Sequence, residues 1–187
     1  MKIVCIGRNY VEHIEELGNE MPDEPLFFIK PQSAVSDRLL YRDGLHYEGE
    51  ICFLIENKKI SKVGFGLDLT LREVQSRLKA KGLPWERAKA FRGSAVLSDF
   101  VPIENWQGLE LRVYKNGALV QKGDTSLMIY KPDTLLQEAD EVFGLQDGDI
   151  LMSGTPKGVG PIERGDKFRG EIWQDGRLLV AKEWSAG

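Results

Sequence analysis

Short strand-like segments set off by tight-turn signals run the length of this chain, and they limit it to a fold built mainly from small β-sheets. Asn116-Gly117 separates Leu109–Tyr114 from Ala118–Gln121, and Asp175-Gly176 separates Phe168–Trp173 from Leu178–Glu183. Both dipeptides accept the positive φ angles that two-residue hairpins need. Further strands are expected at Lys2–Ile6, Leu26–Lys30, Leu45–Glu56, Lys62–Leu69 and Asp149–Ser153. Helices are fewer. Asn9 is expected to cap a short one reaching about Leu17, with Tyr10, His13, Ile14 and Leu17 at helical spacing. Thr70 and Glu73 have the spacing of a capping box for a helix to about Lys81, stopped by Gly82. A short helix follows Pro84 over Trp85–Ala90, and Pro132 opens one that ends at Phe143 before Gly144. The class is α+β, with a largely β core and one domain spanning residues 1–187.

Composition narrows the function. The 187 residues are 42% hydrophobic and 29% charged, which suits a folded globule rather than a disordered chain. Apolar runs such as Ile51–Ile55 are far too short to cross a bilayer as a helix. Ile3–Ile6 after Lys2 reads as a buried strand and not as a secretory signal. With a net charge of −4 and no basic stripe, nucleic acid is not the expected partner. Cys5 and Cys52 sit in apolar runs and read as buried free thiols of a cytoplasmic protein. No Cys-x-x-Cys pair is present to build a structural zinc site.

Three groups of residues could carry chemistry. Glu48 and Glu50 are two apart at the start of a buried strand, so both project to one face. Either they lie in water, or a cation screens their repulsion. If the strand ending near Asp68 is their neighbour, three carboxylates meet, a donor set suited to Mg2+ or Mn2+. His13 and Glu16, at i and i+3 of a helix, are either a general base with its orienting carboxylate or part of a polar face that includes Glu12 and Glu15. Ser153-Gly-Thr-Pro-Lys-Gly-Val-Gly160 is either a tight structural turn or an anion site, with Thr155 and Lys157 as donors. It lacks the order of a phosphate-binding P-loop.

Nine motifs in sequence order join these groups: Gly7-Arg-Asn-Tyr10 with His13 and Glu16; Phe28-Ile-Lys-Pro31; His46-Tyr-Glu-Gly-Glu50; Asp68-Leu-Thr70 with Arg72, Glu73, Val74 and Gln75; Gly82-Leu-Pro-Trp85; Ala88-Lys-Ala-Phe91; Asn116-Gly117; Gly148-Asp-Ile150; and Gly154-Thr-Pro-Lys-Gly-Val-Gly160. Together they resemble the fumarylacetoacetate hydrolase family, and within it the acylpyruvase and fumarylpyruvate hydrolase branch. The resemblance implies a mixed β-sandwich roll and a homodimer. It further implies that Glu48, Glu50 and Asp68 are metal ligands and that His13 and Glu16 activate water from a lid within about the first 30 residues. Lys89 would be the active-site lysine, and Arg72, Gln75 and Thr155 would hold a small oxo-acid substrate. The chain is shorter than most of the family between Lys30 and Glu48, and Gln32-Ser33 stands where Ser-Thr-like pairs are common.

The reaction this implies is metal-dependent hydrolysis of a C–C bond in a 2,4-dioxo acid, giving pyruvate and a carboxylic acid. The same enolate chemistry serves oxaloacetate decarboxylation or oxo-acid tautomerisation, which stand as alternatives. A non-catalytic binding module would have no use for His13, Glu16 and Lys89 together. An oxygenase with two histidine ligands would consume both histidines of the chain, His13 and His46.

Overall fold

The structure is a computed structural model that describes residues 1–187. The first half contains β1 (Lys2–Gly7), α1 (Val11–Glu16), β2 (Leu26–Pro31), β3 (Val35–Ser36), β4 (Leu45–Tyr47), β5 (Gly49–Glu56), β6 (Lys59–Asp68), β7 (Thr70–Leu71), α2 (Arg72–Ala80) and α3 (Glu86–Lys89). There follow β8 (Ala95–Leu97), β9 (Val101–Pro102), β10 (Leu109–Lys115), β11 (Ala118–Asp124), α4 (Pro132–Phe143), β12 (Ile150–Met152), β13 (Gly160–Pro161), β14 (Lys167–Gln174) and β15 (Arg177–Ser185). An eight-stranded sheet has the order β2-β1-β12-β5-β6-β8-β3, with β9 also on β6. A four-stranded sheet runs β11-β10-β14-β15, and a small one runs β13-β4-β7. Only β1–β12 and β3–β8 pair in parallel.

The two larger sheets pack face to face because two glycines let them approach. Phe65 of β6 fills the place where Gly170 of β14 lacks a side chain, and its ring lies 5.7 Å from that of Trp184. At Gly49 the space a side chain would need is taken by Val113, Phe65 and the Gln121 carboxamide. The chain's buried apolar side chains form one main cluster between these sheets, from Val4 to Ala186. Cys5 and Cys52 lie in a second, smaller cluster as buried free thiols.

The hairpins expected at Asn116-Gly117 and Asp175-Gly176 form, with Asn116 and Asp175 at positive φ. Helix α4 spans Pro132–Phe143, and Gly144 takes the left-handed conformation at its end. Three local expectations change, and four short strands were not expected. The run Leu45–Glu56 is two strands in different sheets, divided at Glu48. Asn9 does not cap α1. Tyr10 holds that position, and the Asn9 carboxamide instead donates to the Tyr130 and Ser153 carbonyls and accepts from the Tyr130 N–H. The Thr70–Glu73 capping box does not form either, because Thr70 is drawn into β7 opposite His46 and Leu71 takes the cap position. Finally, β3, β8, β9 and β13 are too short to announce themselves by alternation.

Asp149 pins the start of β12 to that of β1. Its carboxylate accepts the Lys2 N–H at 2.8 Å, the Lys2 ammonium at 2.5 Å and the Gln146 N–H at 2.9 Å. Burial alone would raise its pKa, but these donors outweigh it and hold the carboxyl below its usual value. Its contribution to stability is therefore complete above about pH 4, the unfolded aspartate value, and is lost as pH falls through the lower folded value. Asp149→Asn should cost about 1–3 kcal/mol in urea unfolding at neutral pH, with a smaller deficit in acid. An equal deficit at both pH values would contradict this account.

Candidate active site

The break in the strand at Glu48 brings acid side chains together. Glu48 lies where the backbone leaves the small sheet for the large one, and its carbonyl accepts the Asp68 N–H at 2.9 Å. Pairing of β5 with β6 sets Glu50 opposite Gly66 and Gly49 opposite Leu67. One carboxylate oxygen from each of Glu48, Glu50 and Asp68 then lies within 4.8 Å of the others, all three residues being buried.

The surrounding cations are distributed unevenly. The Lys89 ammonium donates to Glu48 Oε2 and Asp68 Oδ2, each at 2.7 Å. The Arg72 guanidinium donates to Glu48 Oε1 at 2.5 Å and to Gln75 Oε1 at 2.9 Å. Lys30 is fully buried, with its ammonium 2.8 Å from Asp68 Oδ1. Its hydrogen bonds, however, go to the backbone carbonyls of Leu69, Lys89 and Ser94. Asp68 Oδ1 thus has a counter-charge but no hydrogen bond.

Glu50 touches no cation. One of its oxygens accepts the Gly154 N–H at 2.8 Å. Burial, then repulsion from Asp68, pushes its pKa well above the ordinary carboxylate value. Burial acts in the same sense on Glu48, but Lys89 and Arg72 overcome it and hold that group well below the usual range. Burial disfavours the charge on Lys89, and Asp68 and Glu48 outweigh it, so the ammonium persists above the usual lysine range. A buried acid that resists ionisation, beside two further carboxylates within reach of it, is a donor set that could hold a divalent cation.

Beside this cluster His13 Nδ1 lies 3.2 Å from Glu16 Oε2, and Glu16 Oε1 accepts the Gly158 N–H at 3.0 Å. The imidazole is buried and lines the same cleft as Glu48, Glu50, Asp68, Arg72, Gln75, Lys89 and Thr155. The nine residues that the family resemblance assigns to the site thus come together, Glu16 through its bond to His13.

Two details differ from expectation. The Thr155 hydroxyl is occupied, donating to the Gly49 carbonyl at 2.9 Å and accepting from Gln121 Nε2 at 2.8 Å. Lys157 points away from the cleft and pairs on the surface with Glu12 at 3.0 Å. The sequence reading missed Gln121, which fixes Gly49 and Thr155 together, and Lys30, hidden as one polar residue in an apolar strand. It also missed Arg8 and Lys79, which line the cleft.

The family model described as fumarylacetoacetate (FAA) hydrolase C-terminal matches residues 2–181. This chain belongs to the fumarylacetoacetate hydrolase family. Among its relatives, an oxaloacetate tautomerase of Escherichia coli, YcgM, is 40% identical over 97% of this chain and 91% of its own length. A mitochondrial oxaloacetate decarboxylase of Dictyostelium discoideum is 36% identical, over 90% and 87% of the two lengths. The crystal structure of a fumarylpyruvate hydrolase from Pseudomonas aeruginosa in complex with Mn2+ and pyruvate superimposes with a TM-score of 0.87. It is 30% identical and covers all of this chain and 88% of that one. The family's mixed α and β architecture is the one described above. Names within the family cover several reactions, so membership alone does not fix the chemistry.

The cluster makes an unusual demand on Glu50→Gln. The carboxamide oxygen can still accept the Gly154 N–H, and the residue no longer has to be either protonated or buried as a charge. The metal-free variant should melt at or above the wild-type temperature, yet bind Mn2+ at least about tenfold more weakly, about 1.4 kcal/mol of binding free energy. Calorimetric titration and thermal melts in chelator check both halves. Wild-type affinity in the variant would remove Glu50 from the ligand set.

Proposed function

We propose that this protein is a divalent-metal-dependent enzyme that interconverts the keto and enol forms of a small 2-oxo acid, with oxaloacetate as substrate. The observation that carries the reading is the union of three buried carboxylates, a persistently charged lysine and a histidine–carboxylate pair in one cleft. Glu48, Glu50 and Asp68 would hold Mg2+ or Mn2+, and Glu50, which no cation touches, is the group best served by it. The bound ion supplies positive charge where an enolate oxygen develops.

The remaining steps belong to the chain. Tautomerisation requires one proton to leave C3 and one to reach the 2-oxygen, with no water consumed. His13 Nδ1 is held by Glu16, which leaves Nε2 for proton transfer, and the carboxylate steadies the ring when it is charged. Lys89 retains its protons and offers a hydrogen bond to developing negative charge. Arg72, braced by Gln75, is placed to receive the substrate's 1-carboxylate once its bond to Glu48 yields. Thr155, whose hydroxyl is engaged, contributes shape and the fixed position of Gly49.

Sequence similarity over nearly the full length to an oxaloacetate tautomerase supports this reaction ahead of the C–C hydrolysis suggested by the motifs. Hydrolysis of an acylpyruvate is the second reading. It is favoured by the structural match to a fumarylpyruvate hydrolase and by a dyad that could equally activate water.

The deciding experiment follows enol absorbance for oxaloacetate, CO2 release from oxaloacetate, and cleavage of acetylpyruvate and fumarylpyruvate, each with Mg2+, with Mn2+ and with chelator. Tautomerisation should be the fastest of these and should stop in chelator. His13→Ala should lower it by about 10²-fold or more, the scale of a lost general base. Faster acylpyruvate cleavage, or full activity without metal, would overturn the assignment.

A further inference from the structure

Two cations of the cleft have no acid to neutralise them. Arg72 and Lys89 are bound to Glu48 and Asp68, as described above. Arg8 and Lys79 line the same cleft and form no ion pair with any carboxylate. Arg8 stands at the junction of β1 and α1, and Lys79 in the last turn of α2. The Arg8 guanidinium is steadied by neutral acceptors, the Glu20 carbonyl and Asn19 Oδ1, both at 3.2 Å. Its Nε is buried without a partner. Lys79 lies over the Trp85 ring at 4.9 Å, which holds the ammonium at the cleft without cancelling its charge.

The backbone supports a special role for Arg8. It is one of five non-glycine residues at positive φ, and the only one of them that lines this cleft. The other four, Asn57, Lys58, Asn116 and Asp175, lie between paired strands, where hairpin turns require that conformation. Strain of this kind persists where the surroundings demand a particular side-chain direction. Burial, and after it the nearness of Arg8, disfavours the charge on Lys79. Two cations placed in mutual repulsion await an anion.

We infer that Arg8 and Lys79 form a subsite for the second carboxylate of an oxo-dicarboxylate, so that the cleft selects dianionic substrates over monoanionic acyl analogues of the same shape. The inference rests on the oxo-acid reading above and specifies its substrate class. The 1-carboxylate and 2-oxo group belong beside the three acids and Arg72, and the distal carboxylate belongs to Arg8 and Lys79. A charge-assisted hydrogen bond to each would replace the missing partner of Arg8 Nε and relieve the repulsion between the cations.

Oxaloacetate and 4-methyl-2-oxopentanoate make the test. They share a 2-oxo acid head and a branched, three-atom end, which is a carboxylate in one and two methyls on carbon in the other. Calorimetric titration in the presence of Mg2+ should show the wild-type protein binding oxaloacetate at least about tenfold more tightly. Arg8→Met and Lys79→Met should each reduce oxaloacetate affinity by about tenfold, while 4-methyl-2-oxopentanoate stays within about twofold. Arg8→Lys should recover part of the loss. Unchanged Mn2+ affinity and circular dichroism would establish that the variants are folded with the metal site intact. Should Arg8→Met disturb α1, Lys79→Met and its reversal by Lys79→Arg carry the test alone. Parallel losses for both ligands, or no wild-type preference, would overturn the subsite. Wild-type discrimination without tautomerisation would instead sink the reaction assignment and leave the subsite standing.

Discussion

Three buried carboxylates are surrounded by three cations that touch only two of them, and much of the structure serves that imbalance. Burying one unpaired carboxylate is costly, and this protein does so with Glu50. The sheets supply the enclosure. Gly49 allows β10 and β11 to close over the opposite face, and Gln121 ties that closure to the loop carrying Thr155. The change of sheet at Glu48 brings that residue, Glu50 of β5 and Asp68 at the end of β6 together. A divalent cation would convert the imbalance into a balanced site, which makes folding and metal binding parts of one equilibrium.

Lys30 does not line the cleft, yet it braces two residues that do, Asp68 and Lys89. Its ammonium joins β2 to the carbonyl at Leu69, to that of Lys89 at the end of α3 and to that of Ser94 before β8. It also lies against Asp68. A single buried charge thus holds both a prospective ligand, Asp68, and the backbone of Lys89. Arg could not replace it easily, since a planar fork does not match three carbonyls around one point.

Much of this could be read from the residues. The spacing of Glu48, Glu50 and Asp68 raised a three-acid cluster as one of two readings, and that of His13 and Glu16 a dyad as one of two; the family motifs chose between them. The hairpins were announced by their turn dipeptides. What escaped were features decided by distant partners. Nothing local in Leu45–Glu56 marks the change of sheet at Glu48. Thr70 has the right neighbour for a capping box, but pairing with His46 overrides it. Lys30 looks like the polar end of an apolar strand until the carbonyls around it are known. Arg8 stands in a family motif and Lys79 on a polar helix, but neither is marked as a site residue by spacing, and only their lack of an acidic partner in the folded cleft sets them apart.

The bond between Glu16 and the Gly158 amide joins the His13 helix to the loop after β12. Gly158 is at positive φ, and any side chain there would strike the Val120 carbonyl. Gly158 is therefore a fixed striker plate for the Glu16 carboxylate, and relatives that alter this contact should do so from residues of α1 while the glycine stays unchanged.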